Sequence, residues 1–246
     1  MANLFNTVLY TPLYNALIFL VNILPGTSMG LAIISLTIIV KSALLPFAHK
    51  SVKTQAKIRE IDPHIKAIKA QNIPDKQEEA RQVMELYKQH GVNPFSGCLL
   101  FLIQIPIIFA LYWVFLKGLP NNPDILYSFV SLPDNINTNF LGFIDIGKKS
   151  ILLALLAGIS QFFQIKLSMP SLGADVDKNT PKTFKDELAK SMSMQMRYVM
   201  PIVVAVVAYT ISSAVALYWV TSNVFSIGHE LLVKRKAKSI AGTNNN

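Results

Sequence analysis

Lys41 is the one full charge in the run MGLAIISLTIIVKSALLPF (29–47). An ammonium in hydrocarbon costs about 2.5–3.5 kcal/mol on insertion scales, so a chain that places one there must keep it solvated or paired. Thr37 stands one helical turn before it. The other apolar segments hold uncharged polar side chains. These are Gln104 in 98–116, then Ser160, Gln161 and Gln164 in 150–165. In 214–233, Tyr218, Ser222 and Ser226 follow i,i+4 spacing, with Thr221 and Asn223 beside them. Such residues either hydrogen-bond between helices or line a wet cavity. Two readings of Lys41 stand level. It snorkels to the headgroups, being about 9 Å from the inner end of its helix, or it faces a water-filled cavity.

Enzymatic chemistry finds little support. None of the fourteen Asp and Glu residues lies in the interior of an apolar segment. His49, His64, His90 and His229 fall at helix ends or in a polar loop and read as surface residues. No pairing among these groups suits hydrolysis or a metal. GFIDIGKKS (142–150) nearly spells a phosphate-binding loop, but Lys149 stands where a hydroxyl must reach magnesium. Cys98 is the single cysteine, so it forms no intrachain disulfide or Cys/His cluster and reads as a small packing residue.

The elements that must position these residues follow from composition. The chain has 246 residues, of which 52% are hydrophobic and 15% charged, and its mean hydropathy is positive. Uncharged runs near twenty residues indicate an integral membrane protein. The net charge of +9 then reflects topology rather than nucleic-acid binding, and no direct DNA binding is expected. Five spans are predicted at 29–47, 98–116, 150–165, 191–210 and 214–233, with a tight turn at 211–214 between the last two. Arg197 is placed near one membrane face and Glu230 near the end of the last helix. Nineteen Lys and Arg lie in the segments 48–97 and 166–197 and the tail 234–246, against three in the alternate segments. That asymmetry puts the N-terminus outside and the tail in the cytosol. The uncharged first 28 residues lack the positive region of a secretory signal.

Residues 11–24 are too short to cross a bilayer. Leu13, Ala16, Leu17, Leu20, Val21 and Leu24 share a face, with Asn15 and Asn22 elsewhere, which predicts an interfacial helix ended by Pro25-Gly26. In the polar segment 48–92, Ile58, Ile61, Ile65 and Ile68 form a narrow seam, and Ala80, Val83 and Tyr87 repeat it after Asn72-Ile73-Pro74-Asp75. The pattern predicts an antiparallel helical hairpin, kinked at Pro63. A solvated spacer and a mobile docking arm fit it equally.

Residues 93–115, NPFSGCLLFLIQIPIIFALYWVF, carry Asn93-Pro94, Gly97-Cys98, Gln104-x-Pro106 and Ala110-Leu111-Tyr112. IDPHI (61–65), QFFQIKLS (161–168), MP (200–201) and ALYWVTSN (216–223) follow in order. This series resembles the YidC/Oxa/Alb membrane-protein insertase family from about residue 11 to 236. Lys41 stands where that family usually has Arg, Leu100 replaces a proline, and 211–214 departs from its usual turn. The resemblance implies an all-α polytopic fold with a five-span core. It implies insertion of nascent membrane proteins into lipid, alone or beside the Sec translocon and the ribosome, without nucleotide or cofactor. It also implies a groove containing Lys41, Thr37, Gln104, Gln161, Gln164, Tyr218 and Ser222. The hairpin residues Ile58, Ile61, Pro63, Ile65, Ile68, Val83 and Tyr87 become a recruiting element. A small secondary transporter, which wants internal repeats and a mid-membrane carboxylate, and a structural membrane subunit are the competing readings.

Overall fold

The computed structural model describes residues 2–71, 75–93, 96–116, 123–168, 191 and 194–243. The breaker at 72–74, Pro94, most of the loop 166–190 and the tail's last residues lie outside them. A short α1 (Ala2–Phe5) and a π-helical turn (Asn6–Tyr10) lead into α2 (Thr11–Ile23). Then come α3 (Met29–Ala43), α4 (Leu45–Ala70), α5 (Lys76–Gln89) and α6 (Ser96–Leu116). A two-stranded antiparallel hairpin, β1 (Asn139–Phe140) and β2 (Ile144–Asp145), precedes α7 (Ile151–Ser168). A second π-helical turn (Gln195–Val199) opens α8 (Met200–Ile211), and α9 (Ser213–Thr243) closes the chain.

Proline punctuates the chain at different strengths. The sequence carries the first span to residue 47, but α3 stops at Ala43 and the next helix leaves at 64°. Pro46 has no N–H to offer the Ser42 carbonyl, so α3 cannot run through it, whereas the first turn of α4 accepts it. Pro63 instead sits inside α4, which continues to Ala70. The helix carries its hydrogen-bonded turns past this proline. The break between the last two helices does fall in the predicted turn, at Ser212, whose backbone is extended.

Helix α2 buries one face in the bundle and leaves Phe19 and Ile23 exposed on the other. Tyr14, Leu17, Ile18 and Val21 are at most 2% exposed, and the helix packs on α3 and α6. Asn15, off the apolar face in the sequence, is buried because it has backbone partners. Its amide donates to the Thr11 and Ile125 carbonyls at 2.9 Å and accepts from Tyr127 N at 2.7 Å. Asn22 likewise donates to the Ser131 carbonyl at 2.6 Å. The helix is thus tied to the loop 123–150 by side-chain amides.

That loop caps one end of the bundle. Met29 N donates to the Asn137 carbonyl at 3.0 Å, and Asn137 N to that of Thr27 at 3.1 Å. Ser213 N and Oγ both donate to the Lys148 carbonyl, at 2.9 and 2.6 Å. These bonds satisfy N–H groups that the starts of α3 and α9 would otherwise leave orphaned. Gly30 admits the loop closely: a Cβ there would clash with the edge of the Phe140 ring, at Cδ2.

Away from the cap, the polarity of a soluble bundle is inverted. Ile151, Leu152, Leu155, Leu156, Ile159 and Phe163 of α7 are exposed, while Ala154, Ala157 and Gly158 are buried. Ile202, Val203 and Val206 of α8 also face outward. Among the described residues, α7 alone is long and apolar enough to cross a membrane as a single straight helix. The bent pair α3–α4 passes together, and 104–114 and 195–211 are shorter apolar helices.

In the polar segment, α4 and α5 pack on each other. Ile58, Ile61 and Ile65 are buried, and Ile68, Val83 and Tyr87 are partly so. The rings of His64 and His90 lie 6.5 Å apart, so α5 folds back along α4. Burial and the Asp62 carboxylate raise the Tyr87 phenol above its ordinary pKa. On the exposed side of α5, hydrogen bonds from Arg81 and Gln82 hold the Glu78 carboxyl at about 2.

Gly158 lets α7 and α8 approach. A Cβ there would lie 3.0 Å from both Ala205 Cβ and the Pro201 carbonyl oxygen. Gly158→Val is expected to lower the thermal unfolding midpoint in detergent, at a cost of about 1–3 kcal/mol from overpacking. Gly228→Ala, whose Cβ meets nothing within 4 Å, is expected to leave it level or slightly raised. Equal midpoints for both variants would contradict this packing.

Candidate functional site

Three helices bring the predicted polar residues together. Lys41, in the last turn of α3, places Nζ 3.4 Å from Gln104 Oε1 on α6 and 3.4 Å from Ser226 Oγ on α9. Gln104 Nε2 in turn donates to the Tyr218 hydroxyl. An ammonium has no lone pair, so the Gln104 amide must turn its oxygen to Lys41 and its nitrogen to Tyr218. Tyr218 is 3% exposed, while Lys41 and Gln104 keep partial exposure. Among the described residues no carboxylate pairs with Lys41. Its neighbours are neutral dipoles, which orient the charge without cancelling it.

Not every candidate joins this group. Thr37 is 1% exposed, and its hydroxyl donates to the Ile33 carbonyl of its own helix at 2.6 Å. Ser222 does join it: buried beside Tyr218, it shares a side-chain hydrogen bond with that hydroxyl, and its carbonyl accepts from Ser226 Oγ at 2.8 Å. Gln161 and Gln164 belong to a second string, on α7. Gln161 Nε2 donates to Gln164 Oε1 at 3.5 Å, and Gln164 Nε2 to Ser168 Oγ at 3.1 Å. Ser168 then donates to Glu230 Oε2 at 2.5 Å. Higher on the same helix pair, Asn223 Nδ2 donates to Ser160 Oγ at 3.1 Å. The two strings share α9 and otherwise use different helices.

Glu230 is the residue whose place sequence reasoning missed. Set near a helix end, it is 3% exposed and paired with Lys234 at 2.8 Å. Lys234 also donates to the Leu167 carbonyl at 2.8 Å, and Arg59 of α4 donates to that same oxygen. Two cations therefore converge on the C-terminal end of α7, where the helix dipole favours them. The i,i+4 spacing of Glu230 and Lys234 was visible in the sequence; the third partner, on α7, was not.

The remaining motifs take structural roles. In GFIDIGKKS, Asp145 Oδ1 accepts from Gly147 N at 3.0 Å, Oδ2 pairs with Lys148 at 3.3 Å, and the Lys148 carbonyl caps α9. Backbone N–H groups bonded to Asp145 are not free to cradle a phosphate. His49 of α4 and His229 of α9 lie with ring centroids 5.7 Å apart. Among the described residues no three His, Cys, Asp or Glu side chains come together as a metal site would need.

Apolar side chains that face outward along α7 and α8 need lipid around them. The class is an all-α membrane protein. A model of the 60Kd inner membrane protein family matches residues 19–240, and the chain belongs to that family. It is 33% identical over 211 residues to a protein named membrane protein insertase YidC from Clostridium tetani, which covers 86% of this chain and 84% of that one. Another of that name, from Oceanobacillus iheyensis, is 32% identical over 210 residues, covering 84% and 74%. A longer one from Pelobacter propionicus is 33% identical over 210 residues, but the match spans 35% of its length.

Removing one member of the Glu230–Lys234 pair strands a buried charge. Lys234→Met is expected to cost about 3 kcal/mol, read as lower thermal stability in detergent. The double variant Glu230→Gln/Lys234→Met is expected to recover most of that loss. A double variant no more stable than the single one would show that the pair is not coupled.

Proposed function

We infer that this protein is a membrane-protein insertase. It receives hydrophobic segments of newly made proteins and releases them into the bilayer. Membership in a family whose relatives carry that name supports the activity. The observation that carries the mechanism is Lys41 held between Gln104 and Ser226 instead of extended along its helix. Lys41, Gln104, Tyr218 and Ser222 line a hydrated groove, with Gln161 and Gln164 on its α7 side. Thr37, bonded within its own helix, is left out.

Five spans cross the membrane with the N-terminus outside and the C-terminus in the cytosol, a topology supported by the nineteen-to-three distribution of Lys and Arg. The loop 123–150 then caps the outer end, and the groove opens toward cytosol and lipid. A positive charge of low effective dielectric attracts an acidic or polar outer tail of the substrate. The substrate's apolar helix moves into lipid with a gain of about 25 cal/mol per Å² buried. No covalent bond changes, so the step needs neither nucleophile nor cofactor. Helices α4 and α5 form a cytosolic arm that recruits substrate, and Arg59 anchors its root to α7. The Sec translocon and the ribosome are partners through the family resemblance alone.

The test is insertion of one single-span substrate, with a neutral or an acidic outer tail, into proteoliposomes. Lys41→Arg is expected to retain insertion within about twofold. Lys41→Ala is expected to reduce the acidic-tailed substrate about tenfold, the equivalent of ~1.4 kcal/mol, and the neutral one less. Lys41→Glu is expected to be worse still. An Ala variant that treats both tails as wild type does would leave Lys41 a mere anchor at the headgroups.

The same assay weighs the arm. Joining 59 to 90 through a short linker keeps Arg59 and is expected to weaken insertion while the membrane core stays folded. Full activity of that variant would reduce α5 and the outer half of α4 to a spacer.

A further inference from the structure

The cap carries large apolar side chains on its outer surface. Phe129, Leu141 and Phe143 are 74%, 68% and 71% exposed, and Tyr127 beside Phe129 is 38% exposed. Val130, Ile144 and Ile146, interleaved with them, are buried. The loop thus has apolar residues to spare after building its own core. Asn22, bonded to Ser131, brings Ile23 of α2, 59% exposed, to the same end of the bundle.

The hairpin tip adds an independent sign. Phe143 N bonds the Phe140 carbonyl at 3.4 Å, and both residues between have positive φ, 55° at Leu141 and 80° at Gly142. A turn of that shape favours Asn or Gly at its first central position. Leucine in the left-handed region costs about 1–2 kcal/mol and gains nothing from packing when exposed to water. A strained backbone holding an exposed apolar side chain marks a position with a job to do outside the fold.

The lipid-facing belt says what covers it. Helix α7 is long and apolar enough to cross the bilayer, and its exposed apolar side chains continue to its very first residues, Ile151 and Leu152. The cap, which ends at residue 150, therefore begins where that belt still faces lipid.

We propose that the tip of the 123–150 loop, led by Leu141, Phe143 and Phe129, inserts into the outer leaflet and seats the capped end of the bundle in the bilayer. This rests on the topology proposed above. The occupant is lipid at the boundary of headgroups and acyl chains, where aromatic side chains concentrate.

The experiment places single cysteines at 141, 143, 152 and 134 in a Cys98→Ser background, each labelled with an environment-sensitive fluorophore. The proteins are reconstituted in phosphatidylethanolamine–phosphatidylglycerol vesicles containing lipids brominated high on the acyl chain. Bromolipid is expected to quench 141 and 143 to at least about half the extent seen at 152, the lipid-belt control. Position 134, exposed on the same loop, is expected to be quenched by aqueous iodide instead. Iodide quenching at 141 and 143 equal to that at 134 would put the tip in water and overturn the proposal. Protection there from both quenchers would mean a protein cover, a second copy or another membrane protein, and would overturn it too. The topology has its own readout. An impermeant maleimide should label position 134 from outside intact cells, and labelling only after lysis would defeat the outer-leaflet assignment whatever the quenching shows.

Discussion

Two of the apolar helices, α3 and α9, begin where their first N–H groups have no partner in their own helix, and lipid cannot supply one. The loop 123–150 supplies it to α3 and to α9 through the Asn137 and Lys148 carbonyls. Much else follows from that requirement. The loop must fold, so it builds a two-stranded hairpin with its own buried isoleucines. It must be held, so α2 reaches it through Asn15 and Asn22. Gly30 must be glycine for Phe140 to close over it. One end of the bundle is thereby stitched shut by backbone bonds that cross from loop to helix.

Below the cap, the protein handles charge in two ways. Glu230 and Lys234 neutralise each other, with Ser168 and the Leu167 carbonyl taking up remaining hydrogen-bonding capacity. Such a pair holds α7, α9 and, through Arg59, α4 at a fixed distance. Lys41 has neutral partners only, among the described residues, and keeps its charge available. A paired ion is structural because its field is spent on its partner, whereas a charge among oriented dipoles still acts on what approaches it. The contrast between these sites, both reaching α9, separates what holds the molecule together from what can engage a substrate.

Several features were legible because they are properties of short segments. The apolar runs, the helix break at 211–214, the seam of isoleucines and the polar residues worth watching could all be read from local pattern. Local pattern was also incomplete. The apolar face of residues 11–24 was readable, but the burial of Asn15 was not, because its partners lie on the loop 123–150. Pro46 and Pro63 look alike in the chain, but only the first ends a helix. Pro46 falls where the first turn of the next helix can accept it, and Pro63 falls inside α4, which packs on α5 and continues to Ala70.

Composition, charge distribution and the ordered motifs determined by themselves that this is an all-α membrane protein of the 60Kd inner membrane protein family. Hydropathy and charge act on each segment separately, so no folded neighbour is needed to read them. Which polar residues meet was decided only by the tertiary structure. Lys41 finds Gln104 across 63 residues and Ser226 across 185, while Thr37, one turn away on the same helix, turns back on its own backbone. Those choices depend on the rotation and register of one helix against another. They are set by the packing of small residues such as Gly158 and by the stitching of helix starts to the cap, neither of which any single helix encodes.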